Sequence, residues 1–367
     1  MQPTSCRVAH VTEAMGGGIV TVIASIARRQ VEQGATVEVH YLRRPETPST
    51  GDLQALFPAS TRLVEYSSGS RVRSLLKLME ATRRLLVRGE ADYVHAHSSI
   101  AGALARLAVP VGKPARRVFY SPHGWAFLRL DLPAWARRSF ILAEKLLARG
   151  RSTVVLTCPS EFEYGVRQLD PRRAALIQTG VDPAALAAPA PAQPSGRRLR
   201  VGTVARICYQ KAPWRFADVA RQLSAEADFR WIGGGAAEDR DRWIGDAPVD
   251  VTGWLSPDQL ARELSEVDVF LFPTLWEGMP MALMQAQALG IPSVVSDAVG
   301  NRDAVRDAAT GYVCEEEDEL VRRTCELLRD PVLRRRMSET AREWARTALT
   351  DENVGRQTLD IYAEAGA

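Results

Sequence analysis

Short runs rich in β-branched and aromatic residues alternate along the chain with longer stretches whose apolar positions recur every three to four residues. That alternation predicts parallel sheets with crossover helices, where strands covered on both faces read as nearly continuous apolar runs. In the first half, strands are expected at Arg7 to Thr12, Thr36 to Leu42, Tyr93 to Ala96, Val118 to Ser121 and Thr153 to Thr157. Helices are expected at Gly18 to Gln33, Val72 to Arg88, Ser98 to Ala108 and Ala134 to Ala148, and another opens at Ser160, whose spacing to Glu163 is that of a capping box. The second half restarts the pattern with strands at Arg200 to Val204, Phe229 to Ile232, Val249 to Thr252 and Val267 to Phe272 and a helix at Pro213 to Leu223. Ser256, Pro257 and Gln259 supply an N-cap, a first-turn proline and an N3 partner for the next helix, and helices fill most of Glu317 to Ala365.

Between the halves, the segment after Asp182 turns to P-A-A-L-A-A-P-A-P-A-Q-P-S-G, a semi-stiff connector with little to bury. The expected organisation is an N-terminal Rossmann-like domain at 1–184, a linker at 185–198, a second Rossmann-like domain at 199–349, and a C-terminal helix at 350–367 that packs back on the first domain. A chain of 367 residues is long enough for two such cores.

Composition changes this picture little. Apolar residues make up 46% and charged residues 25%, as in ordinary soluble enzymes, and 47 Lys plus Arg against 44 Asp plus Glu argue against wholesale nucleic-acid binding. The five cysteines, Cys6, Cys158, Cys208, Cys314 and Cys325, lack CxxC spacing and fit a reduced, cytoplasmic setting. No secretory or transmembrane pattern is read, so membrane contact is expected to be peripheral. On the helix from Val72 to Arg88, Val72, Leu75, Leu76, Met79 and Leu86 share one side, while Arg73, Lys77, Arg84 and Arg88 form a cationic stripe that faces solvent or an anionic membrane.

Candidate chemistry clusters at strand ends. The stretch T-L-W-E-G-M-P-M-A-L-M-Q-A-Q-A-L-G-I-P-S-V-V, Thr274 to Val295, reads as a strand end, a carboxylate loop, a short helix and another strand. Glu277 and Gly278 fall in the turn, Met279 follows, Pro280 suits the first helical position, and the free amides of Met281, Ala282 and Leu283 favour an anion. Beside them, Glu277 can accept from hydroxyls, so a phosphorylated sugar is the expected ligand. Gly16, Gly17 and Gly18 either offer backbone amides to a substrate or make a tight strand-to-helix turn. Arg206 and Lys211 either neutralise a pyrophosphate or stand as solvated loop cations. His123, in P-H-G, either donates to a sugar hydroxyl or phosphate or is a satisfied structural histidine. His95 and His97 alternate on one strand face without a visible third ligand, and no metal site is expected from them.

Taken together these motifs resemble the GT-B glycosyltransferases of family 4, in family order and across nearly the whole chain: G-G-G, P-H-G, T-G-V-D ending at Asp182, the Arg206/Lys211 pair, I-G-G-G at Ile232, and E-G-M-P followed by A-L-G-I-P. Gly300 to Val305, G-N-R-D-A-V, looks like members that build bacterial capsules, exopolysaccharides or O-antigens. The resemblance implies an α/β GT-B fold of two doubly wound domains facing a central cleft. It also implies a retaining, metal-independent transfer from a nucleotide diphosphate sugar to a glycan or lipid-linked glycan, with no cofactor. Arg206 and Lys211 would bind the donor diphosphate, Glu277 the transferred sugar, and His123 would face that sugar. Gln285 departs from the family, whose E-x7-E motif has a ribose-binding glutamate there; Ala205 and Thr179 are milder departures from Gly and Asn. Decoration of a small natural product, nucleotide-sugar epimerisation, and non-catalytic sugar binding are the alternative expectations.

Overall fold

A computed structural model describes residues 6–109, 117–150, 152–182 and 196–366. The chain divides into one unit of Met1–Gly180 with Asp351–Ala367 and a second of Val181–Thr350. Most of the expected linker lies outside the described residues.

In the first unit, β1 (Arg7–Thr12), α1 (Gly18–Glu32), β2 (Thr36–Tyr41), α2 (Thr50–Leu56), β3 (Arg62–Glu65), α3 (Arg71–Arg88), β4 (Tyr93–His97) and α4 (Ser99–Leu107) are followed by β5 (Val118–Ser121), α5 (Ala134–Ala148), β6 (Thr153–Leu156), α6 (Pro159–Leu169) and β7 (Ala174–Leu176). Its parallel sheet runs β3-β2-β1-β4-β5-β6-β7. The order reverses between β1 and β4, where open α/β sheets leave a crevice at the strand carboxyl ends. Val11, Val94, Ala96, Val118 and Leu78 build the core between sheet and helices. The last helix, α14 (Val354–Gly366), packs on α1. Asp351, nearly fully buried at its approach, accepts from Arg29 Nη2 at 2.6 Å and Ser25 Oγ at 2.6 Å.

The second unit repeats the scheme. Its strands are β8 (Leu199–Val204), β9 (Ala227–Ile232), β10 (Val249–Val251), β11 (Val269–Phe272), β12 (Ser293–Ser296) and β13 (Gly311–Cys314), all parallel in the order β10-β9-β8-β11-β12-β13. The helices are α7 (Pro213–Leu223), α8 (Ala237–Trp243), α9 (Pro257–Ser265), α10 (Met281–Ala288), α11 (Asn301–Ala304), α12 (Glu317–Arg329) and α13 (Pro331–Ala348). Here the order reverses between β8 and β11. Phe216, Trp231, Val269 and Met337 fill the core beneath. The Ser256–Gln259 capping box forms as expected.

Three local expectations are corrected. Helix α6 begins at Pro159 with Cys158 at its N-cap, so the Ser160–Glu163 box does not form. Glu161 at N3 reaches back instead, accepting from Thr157 N at 3.0 Å and Thr157 Oγ1 at 2.8 Å. Pro280 is the N-cap of α10 rather than its first helical residue, because its ψ of 109° is extended. The buried face of α3 is Ser74, Leu78, Ala81, Thr82 and Leu85, whereas Val72 and Leu76 are exposed: the small residues let the helix settle close to the sheet and rotate that apolar edge outward.

Candidate active site

In the second unit, the loops after β8 and β11 flank the point of strand reversal, and the side chains they bring together are Lys211 and Glu277. Lys211 ends a short helical turn at Tyr209–Lys211, and its Nζ donates to Glu277 Oε1 at 2.6 Å while lying 5.0 Å from the centre of the Phe272 ring. The two loops are also laced by backbone: Leu275 N donates to Gln210 O at 2.9 Å, and Gln210 Nε2 to Trp276 O at 2.7 Å. Glu277 is only 7% exposed at its side chain and Lys211 19%, so this ion pair is held in a low-dielectric setting.

Beside the pair, α10 presents its N-terminus. Met281 and Ala282 open the helix, while the Leu283 amide, expected to be free, is taken by the Pro280 carbonyl at 3.1 Å. Gln285 stands half-buried one turn further, on the Met281 side. Met279 and Met284 are buried packing residues. Arg206 is exposed at the end of β8. Its loop is shaped by the I-G-G-G turn: a Cβ on Gly233 would come within 2.2 Å of the Ala205 carbonyl oxygen.

Sequence reasoning missed what holds the Glu277 loop in place. Asn301, fully buried at the start of α11, donates through Nδ2 to Thr274 Oγ1 at 3.1 Å and to Ser296 O at 3.1 Å, and Ser296 Oγ donates to Thr274 O. Gly300 precedes it and packs against Gly278. The G-N-R-D-A-V segment is therefore a buttress of the carboxylate loop.

In the first unit, the loop Gly16–Gly18 follows β1 and opens α1, with Gly17 as N-cap at φ 58° and both Gly17 and Gly18 exposed. Glu13 anchors this loop: Oε2 accepts from the Ala101 amide at 3.0 Å and from Ser98 Oγ, and Oε1 pairs with Arg44 at 3.3 Å. His123 follows β5 with φ 52°, a conformation rare for a side chain of this size, held in part by the Gly124 amide donating to the buried Glu161 at 2.8 Å. Its Nε2 lies 2.8 Å from His97 Nδ1, and His97 Nε2 lies 2.8 Å from His10 Nδ1.

His10 is the third histidine that the sequence did not reveal beside His95 and His97. The parallel register of β1 on β4, with His10 opposite His95, brings it there, and one ligand atom from each of the three rings lies within 4.8 Å of the others. Every one of their ring nitrogens has a hydrogen-bond partner, however, including Tyr362 and Ser121 for His95 and Gln30 for His10. That commits their lone pairs within the protein.

Burial pushes His10 and His123 down from 6.5 to about 4, and burial with help from neighbouring rings holds His95 and His97 well below their ordinary value. Between about pH 6.5 and 4 the unfolded chain therefore binds more protons than the folded one, and stability is lost as pH falls through that window. Each ring can contribute up to about 1.4 kcal/mol per pH unit. The melting temperature is expected to drop steeply between pH 7 and 5; a flat profile would show that the rings titrate normally.

Two family models cover this chain: glycosyltransferase family 4 over residues 16–185 and glycosyl transferases group 1 over residues 198–330. An Escherichia coli UDP-Gal:alpha-D-GlcNAc-diphosphoundecaprenol alpha-1,3-galactosyltransferase is 30% identical over 73% of this chain and 75% of its own length. The chain belongs to this glycosyltransferase family. Among solved structures, a sucrose-phosphate synthase from Thermosynechococcus elongatus matches with a TM-score of 0.82 at 18% identity over 98% of both chains. An Anabaena HepE structure in complex with UDP and glucose matches with a TM-score of 0.77 at 15% identity over 98% of this chain and 100% of that one. The glycosyltransferase has the GT-B fold, two doubly wound parallel-sheet domains. It is an enzyme of the transferase class.

Proposed function

We propose that this glycosyltransferase moves a sugar from a UDP- or GDP-sugar to a lipid-linked glycan in bacterial surface polysaccharide synthesis, with retention of configuration and without a metal. The observation that carries this reading is the Lys211–Glu277 pair beside the α10 N-terminus, at the strand reversal of the second unit. A cation and outward amides suit a diphosphate, and a carboxylate beside them suits sugar hydroxyls. The E. coli relative, named for a UDP-galactose donor and a diphosphoundecaprenol-linked acceptor, supports the donor and acceptor classes.

In the proposed reaction the anomeric carbon's bond to the diphosphate oxygen breaks as its bond to the acceptor oxygen forms on the same face. The acceptor's proton passes to the leaving diphosphate. Arg206 and Lys211 stabilise the negative charge gathering on that group. Glu277, engaged by Lys211, orients the sugar and is not assigned as a nucleophile. Turnover of UDP-, GDP- and dTDP-hexoses with a lipid diphosphate-linked GlcNAc acceptor, in the presence of a chelator, tests the proposal; transfer that collapses on chelation, or donor turnover without acceptor, would overturn it. Arg206→Ala is expected to weaken nucleoside diphosphate binding by about 1.5 to 3 kcal/mol while sparing the nucleoside. Calorimetry with UDP and uridine checks this, and an unchanged UDP affinity removes Arg206 from the diphosphate site.

The acceptor's lipid would place the enzyme at an anionic membrane surface. No described helix is long and apolar enough to cross a membrane. Arg73, Lys77, Arg84 and Arg88 are exposed on α3 beside the exposed Val72, Leu76 and Val87, and α5 exposes Trp135, Leu142 and Leu146. Basic and apolar groups mixed on one face suit peripheral binding. Neutralising the four α3 cations should lower affinity for phosphatidylglycerol vesicles, each contributing about 1 kcal/mol at modest salt. Undiminished vesicle sedimentation would leave α3 a solvated face.

A further inference from the structure

We infer that α14, acting through Gln30, His10 and His97, fixes the tautomer of His123 so that its outward Nδ1 accepts a hydrogen bond from a ligand hydroxyl and cannot donate to a phosphate. The direction of every proton follows from one backbone carbonyl. Thr358 Oγ1 donates its single proton to the Gly355 carbonyl at 2.7 Å, so toward Gln30, 3.0 Å away, its oxygen can only accept. Gln30 therefore turns its amide NH2 to α14 and its Oε1 to His10 Nε2, 2.9 Å away, which must carry the proton.

His10 is neutral, so its Nδ1 is an acceptor, and the proton between it and His97 sits on His97 Nε2. The same step leaves His97 Nδ1 an acceptor and places the proton of the next bond on His123 Nε2. The second nitrogen of His123, Nδ1, has no partner among the described residues and is not among the buried unsatisfied atoms. It is left as an open lone pair.

A second chain sets the same polarity independently. Ser121 Oγ donates to the Val155 carbonyl at 2.8 Å and so accepts from His95 Nε2 at 2.9 Å. His95 Nδ1 then accepts from the Tyr362 hydroxyl at 2.7 Å, whose oxygen faces the Gln30 amide at 3.4 Å. A flipped Gln30 would set its oxygen against two oxygens whose protons are already used, and its NH2 against His10. Both chains therefore oppose reversal.

A neutral nitrogen lone pair attracts a hydroxyl and repels phosphate oxygens, which replaces the donor role expected for His123 from sequence. That the hydroxyl belongs to the transferred sugar rests on the function proposed above; the proton arrangement does not. Gln30, His10 and His97 are positioning residues.

The test is nitrogen NMR on the full chain labelled with 15N-histidine, which has five histidines to assign. The expected spectrum shows His123 protonated at Nε2 and bare at Nδ1, with coupling across the hydrogen bond to His97 Nδ1. A proton on His123 Nδ1, or no coupling, would overturn the inference. Gln30→Met is expected to average the His123 resonances over both tautomers and to lower transfer kcat about tenfold while donor KM stays within twofold. A folded Gln30→Met protein with a single unchanged tautomer and full kcat would also overturn it. If that variant does not fold, Thr358→Val combined with Tyr362→Phe, which removes both oxygens that face the Gln30 amide, carries the same comparison, whereas Thr358→Ser, which keeps its hydroxyl, is expected to preserve the wild-type spectrum and rate. Should no nucleotide sugar be turned over, the spectrum still decides the tautomer, so the two readings fail separately.

Discussion

Glu277→Ala is expected to reduce sugar transfer by about 10²- to 10³-fold, the loss typical when a preorganised charged contact to a reacting group is removed. Its stability effect should be the smaller of two. With Glu277 gone, Lys211 keeps its place near the Phe272 ring and has a flexible stem that reaches water, being 19% exposed. With Lys211→Ala, the carboxylate of Glu277 is left unpaired at 7% exposure, the costlier of the two orphaned charges and within the 3–5 kcal/mol range for a broken buried pair. The double variant removes both charges, so its melting temperature should recover above that of Lys211→Ala while its activity does not. Glu277→Gln separates charge from shape, because the amide oxygen can still accept from Lys211 Nζ. Kinetics and melting on the four proteins check this, and additive stability losses would show that the pair is not coupled.

The residues that would carry this chemistry were legible because they sit where a doubly wound sheet must place them. Gly16 to Gly18, His123, Lys211 and Glu277 all follow strands whose apolar runs are unmistakable in sequence. Parallel sheets with crossover helices were legible in the same way, since alternating strands and helices leave few alternatives, whereas the strand order itself was not read from the sequence. What escaped was either short or non-local. The three-residue β7 and β10, the four-residue β3 and the seven-residue α2 and α8 hold too few residues to display a period, although β10 fell within an expected strand. The face of α3 was misjudged because Ser74, Ala81 and Thr82 contribute burial without contributing hydrophobicity. The histidine chain depends on β1 pairing with β4 and on α14 returning to α1, contacts separated by 87 and 328 positions in His10–His97 and Gln30–Thr358. No window of sequence contains them. Asn301 is similar: nothing in G-N-R-D-A-V marks it as buried, and the residues it bonds, Thr274 and Ser296, lie 27 and 5 positions away.

Gly300→Ala is expected to be among the most destabilising single substitutions in the second unit and to inactivate the enzyme beyond its loss of stability. The backbone at Gly300 has φ 84° and ψ −38°, a region that costs an L-residue about 1–3 kcal/mol. Strain of that kind alone is tolerable. The decisive contact is steric: a Cβ there would lie 1.5 Å from the Gly278 carbonyl oxygen, 2.7 Å from its carbon and 3.3 Å from Glu277 Cβ. Two of these are main-chain atoms, so no rotamer change relieves the clash, and Asn301 pins the other side of the turn through Thr274 and Ser296. The loop carrying Glu277 must move instead, drawing its carboxylate away from Lys211. Gly17→Ala is the control, since it shares the positive φ, 58°, yet a Cβ there meets nothing within 4 Å. The difference in melting temperature between the two variants isolates the clash from the backbone strain. Equal, small shifts would mean that the Gly278 carbonyl yields freely, and the buttress assigned to the G-N-R-D-A-V segment would be wrong.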